Sequence, residues 1–368
     1  MTNTLITEPF NINITNTCKV THITSKPNDI MVVNAARVSF DKESDFDLDG
    51  NLKIGDQRLL NYLASHNHFT PFTHVRETFA FDEDWLDIDW FIQTVTQENL
   101  AGIVFAKATV YDKPCWLIRH SLYGWIQLLK LNETEHIFQP IVATFIKNIL
   151  SSVYPGSMKA YNMYSPDCEE IDGHEEYVQY IPTLDMFVES DPENNPGKHD
   201  TPVIKFYQEE KRDYFIDVTI REEVPIYVAR QRFKHMVGFT FNEVSRRYVD
   251  LPPVYFIPDT LRKRAENKKQ GSMDIECDQH NLALSGYNVA IQYCDVLYKK
   301  LVDKDGEFKV CPEQARGALP QSMMTSYYAT GNIASWKRLV KQRLDPHAQA
   351  EIRDFAQQVQ DILEEYPS

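Results

Sequence analysis

Two short stretches of strict alternation, far apart in the chain, limit the folds open to it. In the first, Val75, Glu77, Phe79 and Phe81 alternate with Arg76, Thr78 and Ala80; in the second, Ile216, Val218 and Ile220 repeat the pattern. Residues two apart share one face of a pleated strand, so each stretch reads as a half-buried β-strand. The two strands are free to be neighbours in space. Between them, from Asp84 to Arg212, lie roughly 130 residues, far too many for a loop, so this stretch reads as an insertion with structure of its own.

The remaining patterns are mostly helical. Val32 to Phe40 is apolar and alanine-rich, and Asp56 is placed to cap a helix that carries Leu59, Leu60 and Leu63 on one face and ends near His66. The insertion has two helix-like runs, Trp116 to Leu131 and His136 to Val153, and a tail, Glu189 to Asp200, whose Asp, Glu, Asn, Pro and Gly content predicts a mobile surface segment. Pro225 suits the first turn of a helix through Ile226, Val228, Ala229 and Phe233. Glu266 to Ser272 reads as a polar loop, and Asp345-Pro346 as the start of a helix with Ile352, Phe355, Val359 and Ile362 on its apolar stripe. These elements predict an α+β fold: a mixed or antiparallel sheet with flanking helices, in one domain over 1–368 interrupted at about 84–212 by a largely helical insertion.

Charge narrows the function classes. A formal charge of −15 repels a nucleic-acid backbone, so a duplex-binding role is not expected. Yet Arg230, Arg232, Lys234, His235, Arg246 and Arg247 crowd one acid-poor stretch broken only by Glu243, which suits a small anionic ligand. The first residues lack a basic head followed by an apolar run, and the longest apolar candidate, Leu100 to Val110, is interrupted by Lys107, so a cytoplasmic location is expected, in a host if the gene is viral. Six cysteines without a CxxC pair argue against a zinc site or a disulfide framework; they read as reduced thiols, mostly buried.

The stretch with most chemistry runs from Pro225 to Tyr248. It offers a helix end loaded with cations and then Asn242, Glu243, Ser245, Arg246 and Arg247, the donors a phosphate needs beside groups able to read a base or ribose. A solvated basic face flanking a core helix accounts for the composition equally well.

This stretch resembles the segment of flavin-dependent thymidylate synthases in which an Arg-His-Arg triplet precedes Asn-Glu-x-Ser-x-Arg-Tyr. The closing half is complete as Asn242-Glu243-Val244-Ser245-Arg246-Arg247-Tyr248, whereas the triplet aligns with Lys234-His235-Met236, one residue further from Asn242. Aligning it with Arg230-Gln231-Arg232 instead costs the preceding stretch its own counterpart. Upstream, Asn34 to Phe40 and His68-Phe-Thr-Pro-Phe-Thr-His74 resemble two further family elements, with Thr73 where the family has glutamate. Downstream, Ala315-Arg316 to Pro320, Asn332, and Arg343-Leu-Asp-Pro-His-Ala-Gln match in order, with Ala334 in place of arginine and Arg338 in place of asparagine. The likeness covers about residues 30–82 and 214–365.

The resemblance implies reductive methylation of dUMP to dTMP with 5,10-methylenetetrahydrofolate as carbon donor and FAD, reduced by NADPH, as hydride source, in a homotetramer whose sites combine subunits. It assigns the nucleotide to Gln231, Lys234, Glu243, Val244, Ser245, Arg246, Arg247, Arg316 and Arg343, with the amides near Ser245 helping to hold the phosphate. FAD falls to Ser39, Thr70, Lys234, His235, Asn242, Glu243, Asn332, Arg338 and His347. Arg343 stabilises charge on the uracil, Ser245 acts beside it, and His68 lies at the approach for folate or NADPH. Two alternatives share the scaffold: hydroxymethylation of a pyrimidine nucleotide, and a non-catalytic nucleotide-binding homologue. The Pro114-Cys115-Trp116 context matches the cysteine nucleophile of the unrelated thymidylate synthases, but none of that family's other signatures surrounds it, and Cys115 reads as a packed thiol.

Overall fold

The computed structural model describes residues 12–23, 27–84, 87–98, 100, 102–166, 174–175, 178–181, 204–249, 251–265 and 272–366. The segments Glu189–Asp200 and 266–271 lie outside these.

Two antiparallel sheets organise the chain. The first has four strands in the order Phe239–Glu243, Met324–Asn332, Asp217–Pro225, Lys19–His22. The second has six, in the order His174–Glu175, Val178–Ile181, Arg76–Asp82, Lys113–Ser121, Val104–Val110, Ile204–Phe206. The two alternating stretches therefore do not pair. Arg76–Asp82 belongs to the second sheet and Asp217–Pro225 to the first, and they are joined by charge: Arg76 and Arg119 both reach Asp217. Burial pushes the Asp217 carboxyl up, but the two guanidiniums outweigh it and hold the group below the usual carboxylate range.

Nor is Arg76–Asp82 half-buried. Phe79 and Phe81 enter a core formed with Trp125 and Phe145 from the helices Leu122–Glu135 and Pro140–Val153 and with Phe138 from the connection between them. Ala80 on the other face joins Leu117, Val218, Ile220, Trp336 and Phe355 between the two sheets. A sheet covered on both faces has no solvent side, so the alternation separates two cores rather than inside from outside.

The region 84–212 contains the expected helices, and among its described residues also five strands of the second sheet. Trp116 to Ser121 is strand, not helix; it pairs with neighbours on both sides, and the helix begins at Leu122 with Ser121 Oγ accepting from the Gly124 amide. Ladder pairing on both edges overrides the local helical pattern. His136 ends that helix in the left-handed region, and the next begins at Pro140.

Two other helix starts shift. Asp56 sits inside the first turn of Ile54–Ser65, where its carboxylate binds Arg37 and Ser44 instead of capping. Asp345 accepts from the His347 amide in a turn, and the helix proper is Ala350–Leu363, with Ile352, Phe355 and Val359 buried. Of the five described cysteines only Cys115 is buried; the others lie on partly covered elements such as the long helix His280–Val302, and Cys311 is exposed. No helix among the described residues is long and apolar enough to cross a membrane.

Candidate nucleotide site

The polar stretch after Phe233 is shaped by the first sheet. Gly238, at φ +83°, turns the chain into the edge strand Phe239–Glu243; a Cβ there would stand 2.0 Å from Ser335 Oγ, so only glycine fits. The strand pairs with Met324–Asn332, and where it ends the backbone is pinned: the Val244 amide donates to Ser326 O at 2.8 Å, the Ser245 amide to Ser39 O at 3.0 Å, and Ser39 Oγ to Glu243 O at 3.0 Å.

These anchors hold Glu243, Val244, Ser245 and Arg246 along one wall of a cleft of about 490 Å3, which Arg230, Arg316 and Gln321 also line. Glu243 accepts from Thr325 Oγ1 at 2.6 Å. Burial raises its carboxyl above the ordinary value, against the hydrogen bond from Thr325 and the charge of Arg316. Arg247 reaches the rim, paired at 2.8 Å with Glu313, which also lines the cleft. The amides near Ser245 are largely spent, since those of Tyr248 and Val249 donate to Ser245 O and that of Arg247 approaches Ser245 Oγ at 3.4 Å. An anion here is met by side chains, not by the backbone nest the sequence suggested.

Arg232 leaves the cationic group. It is fully buried, forms a two-oxygen contact with Glu222 at 3.0 and 3.1 Å, and lies against the rings of Phe239, Phe241 and Trp336 at 4.3 to 4.9 Å. It is a post beneath the site, since the helix Ile226–Arg232 points its last residue into the core.

Arg343 stands apart from the cleft. Its Nε donates to His235 Nε2 at 2.8 Å and its Nη2 to Gln231 O at 3.2 Å. Burial and the charges of Arg343, Arg232 and Arg338 hold His235 down to about 4, so the ring is neutral and its proton sits on Nδ1. Arg338 donates to Val237 O at 2.6 Å, beside exposed Lys234, so Lys234, His235 and Arg338 gather about the turn 234–238. Asn332 caps the helix Ile333–Arg343 through the Ser335 amide.

Asn242 is positioned by a relay through His74, which the sequence places at the end of the 68–74 motif, and two threonines distant in the chain. His74 is buried, and desolvation lowers it to about 3. As a neutral ring it donates from Nε2 to Asn242 Oδ1 at 3.1 Å and accepts at Nδ1 from Thr330 Oγ1 at 2.7 Å, which in turn meets Thr219 Oγ1 at 2.7 Å. Thr70 opens the short turn Thr70–Thr73 that leads into His74. His68 lies outside, with Tyr62 and His66, and His347 is exposed against Asp345. Within one chain, then, Glu243 to Arg247 and Arg316, expected to hold the nucleotide, come together, Gln231 and Arg343 form a second group, and His68 and His347 join neither. No trio of His, Cys, Asp and Glu among the described residues is arranged to hold a metal.

Cys115 lies within its strand, with Sγ 3.5 Å from Ala108 O, and burial pushes its thiol up to about 12. A thiol so suppressed is no nucleophile.

The molecule is thus an α+β protein with an arginine-lined cleft at the edge of an antiparallel sheet. Residues 215–367 match the sequence family described as thymidylate synthase complementing protein. The chain is 27% identical over 338 residues to a flavin-dependent thymidylate synthase of Aquifex aeolicus, covering 91% of this chain and 94% of that one. It is 34% identical over 173 residues to one from Thermosipho melanesiensis, 46% of this chain and 67% of that one. A crystal structure of a UMP/dUMP methylase, PolB, from Streptomyces cacaoi covers 97% of the chain and 93% of its own at 16% identity, with a TM-score of 0.41, too loose a superposition to bear on function. The chain belongs to the flavin-dependent thymidylate synthase family. The Aquifex alignment is long enough that it necessarily runs through much of 84–212.

Proposed function

We propose that the chain converts dUMP to dTMP, taking the carbon from 5,10-methylenetetrahydrofolate and the hydride from FAD reduced by NADPH. The observation that carries this is the cleft uniting Glu243, Ser245 and Arg316: an acidic chain, at −15, gathers guanidiniums where the Glu243 carboxyl and the Ser245 hydroxyl stand beside them. Arg316 and Arg247 hold the phosphate dianion, Ser245 Oγ and Glu243 the sugar, and Val244, Arg246, Gln231 and Lys234 complete the surround.

The residues assigned to the flavin fit it by their chemistry. Lys234, His235 and Arg338 concentrate positive and donor groups about a turn where Gly238 keeps the space before Asn332 and Ser335 free of a side chain. Ser39, Thr70, Asn242 and His347 add polar edges. When bound, the flavin supplies the hydride. Arg343, oriented by neutral His235 and Gln231 O, keeps its remaining donors for the charge that develops on the uracil.

Because Arg343 does not line the cleft of its own chain, a second subunit supplies it, and we read the assembly as a homotetramer. Leu282, Val289 and Tyr293, exposed on one side of the helix His280–Val302, provide apolar surface for such an assembly. The chain is one domain over 1–368, with the stretch at about 84–212 inserted into it, and works in the cytoplasm.

The test is an absorbance spectrum of the purified protein, then dUMP turnover read by product mass. Flavin bands and a product one methyl group heavier are expected, together with loss of turnover in Arg343→Ala. A colourless protein that binds dUMP sinks the redox reading, and a hydroxymethyl product reassigns the chemistry.

A further inference from the structure

A second cleft, of about 520 Å3, adjoins the first across Arg246, which lines both. Its rim carries Lys299, Lys304 and Lys309, its walls include Tyr298 and Pro252, and none of the described residues lining it is a carboxylate. Four cations around one recess is an unusual concentration in a chain of net charge −15.

A lysine near a helix C-terminus complements the helix dipole, and this explains Lys299, which also pairs with Asp295 at 2.7 Å. It does not explain the others. Arg246 arrives from the turn after the first sheet's edge strand, and Lys309 from a loop that the Val310 amide pins to Leu301 O at 2.7 Å. Lys304 and Lys309 are exposed and have no ion-pair partner among the described residues. The acidic residues of that loop are not among those lining the recess, and Asp303 accepts from the Asp305 amide at 3.0 Å.

We propose that this cleft binds an anion carrying several charges along a chain, with Lys304 and Lys309 as its main contacts. Cations on separate segments, with apolar walls between them, suit a ligand that places successive negative groups several ångströms apart, not a single compact ion. Two sources share this chemistry: the phosphates of a nucleoside polyphosphate, and the γ-linked carboxylates of an oligoglutamate, the second resting on the folate reading above. Because the two clefts share Arg246, a ligand here contacts the edge of the nucleotide site.

Calorimetric titration of the full chain at low salt, with inorganic tripolyphosphate and with tri-γ-glutamate as probes, tests this. At least one probe is expected to bind, weakened about tenfold or more in K304E/K309E and by added salt, while dUMP affinity stays unchanged. Tighter binding of tripolyphosphate assigns the polyphosphate source, and tighter binding of tri-γ-glutamate the carboxylate source. No heat with either probe, equal affinity in the variant, or binding of orthophosphate as tight as tripolyphosphate overturns the proposal. Both lysines are exposed, and K309Q provides a milder second variant if the double reversal lowers solubility. Flavin absorbance and dUMP binding, read on the same samples, report separately on the proposed function.

Discussion

Replacing Glu77 with glutamine should flatten the pH dependence of stability over a defined window. Glu77 lies in the centre of the second sheet, 1% exposed, with the hydroxyl of Tyr154 donating to one carboxyl oxygen and that of Tyr180 to the other at 2.8 Å. Burial pushes its carboxyl from an ordinary 4.5 to about 7, against the tyrosine hydrogen bonds and the charge of Arg119. Between these two values the folded chain holds a proton that the unfolded chain has released. Stability contributed by Glu77 is therefore complete below about 4.5 and is lost as pH rises through about 7. At about 1.4 kcal/mol per pH unit, the whole window is worth about 3 kcal/mol. Glutamine cannot titrate, so urea denaturation of Glu77→Gln should lack that decline, whatever constant offset the altered hydrogen bonds introduce. The assay is the difference between wild-type and variant stability at pH 5, 6, 7 and 8. A difference that stays constant across those points refutes the argument.

Arg316→Ala removes a charged contact of the kind worth about 1.5–3 kcal/mol, so KM for dUMP should rise roughly 10- to 150-fold; an unchanged KM excludes Arg316 from the phosphate site. Arg232→Met leaves the buried Glu222 without its cation and should cost about 3–5 kcal/mol in urea denaturation, whereas a loss below about 1 kcal/mol contradicts the post described here. Cys115→Ala should leave turnover intact, because the thiol is buried in the sheet and suppressed; abolished turnover in a folded variant would restore the cysteine as a nucleophile.

The post under the site and the relay to Asn242 show where a reading of residue types stops. Arg232 sits among the other cations in the chain and is chemically identical to them; only Glu222, ten positions earlier on the preceding strand, removes it from the surface pool. His74 belongs to a recognisable motif, but its acceptor role depends on Thr330 and Thr219, which meet only because their strands pair in register. The amides near Ser245 look free in sequence but are taken up in the fold, that of Ser245 by Ser39 O, more than two hundred positions away, and those of Tyr248 and Val249 by Ser245 O.

What the sequence determined by itself was whatever depends on local order: the alternation at 75–81 and 216–220, the apolar stripe at 352–359, and the motifs that mark the family. Tertiary structure decided which sheet each strand joined, which faces were covered, and which cations were left to meet a ligand. The reason is physical: periodicity and turn chemistry act over a few residues, whereas burial and pairing depend on partners that the chain brings together only on folding.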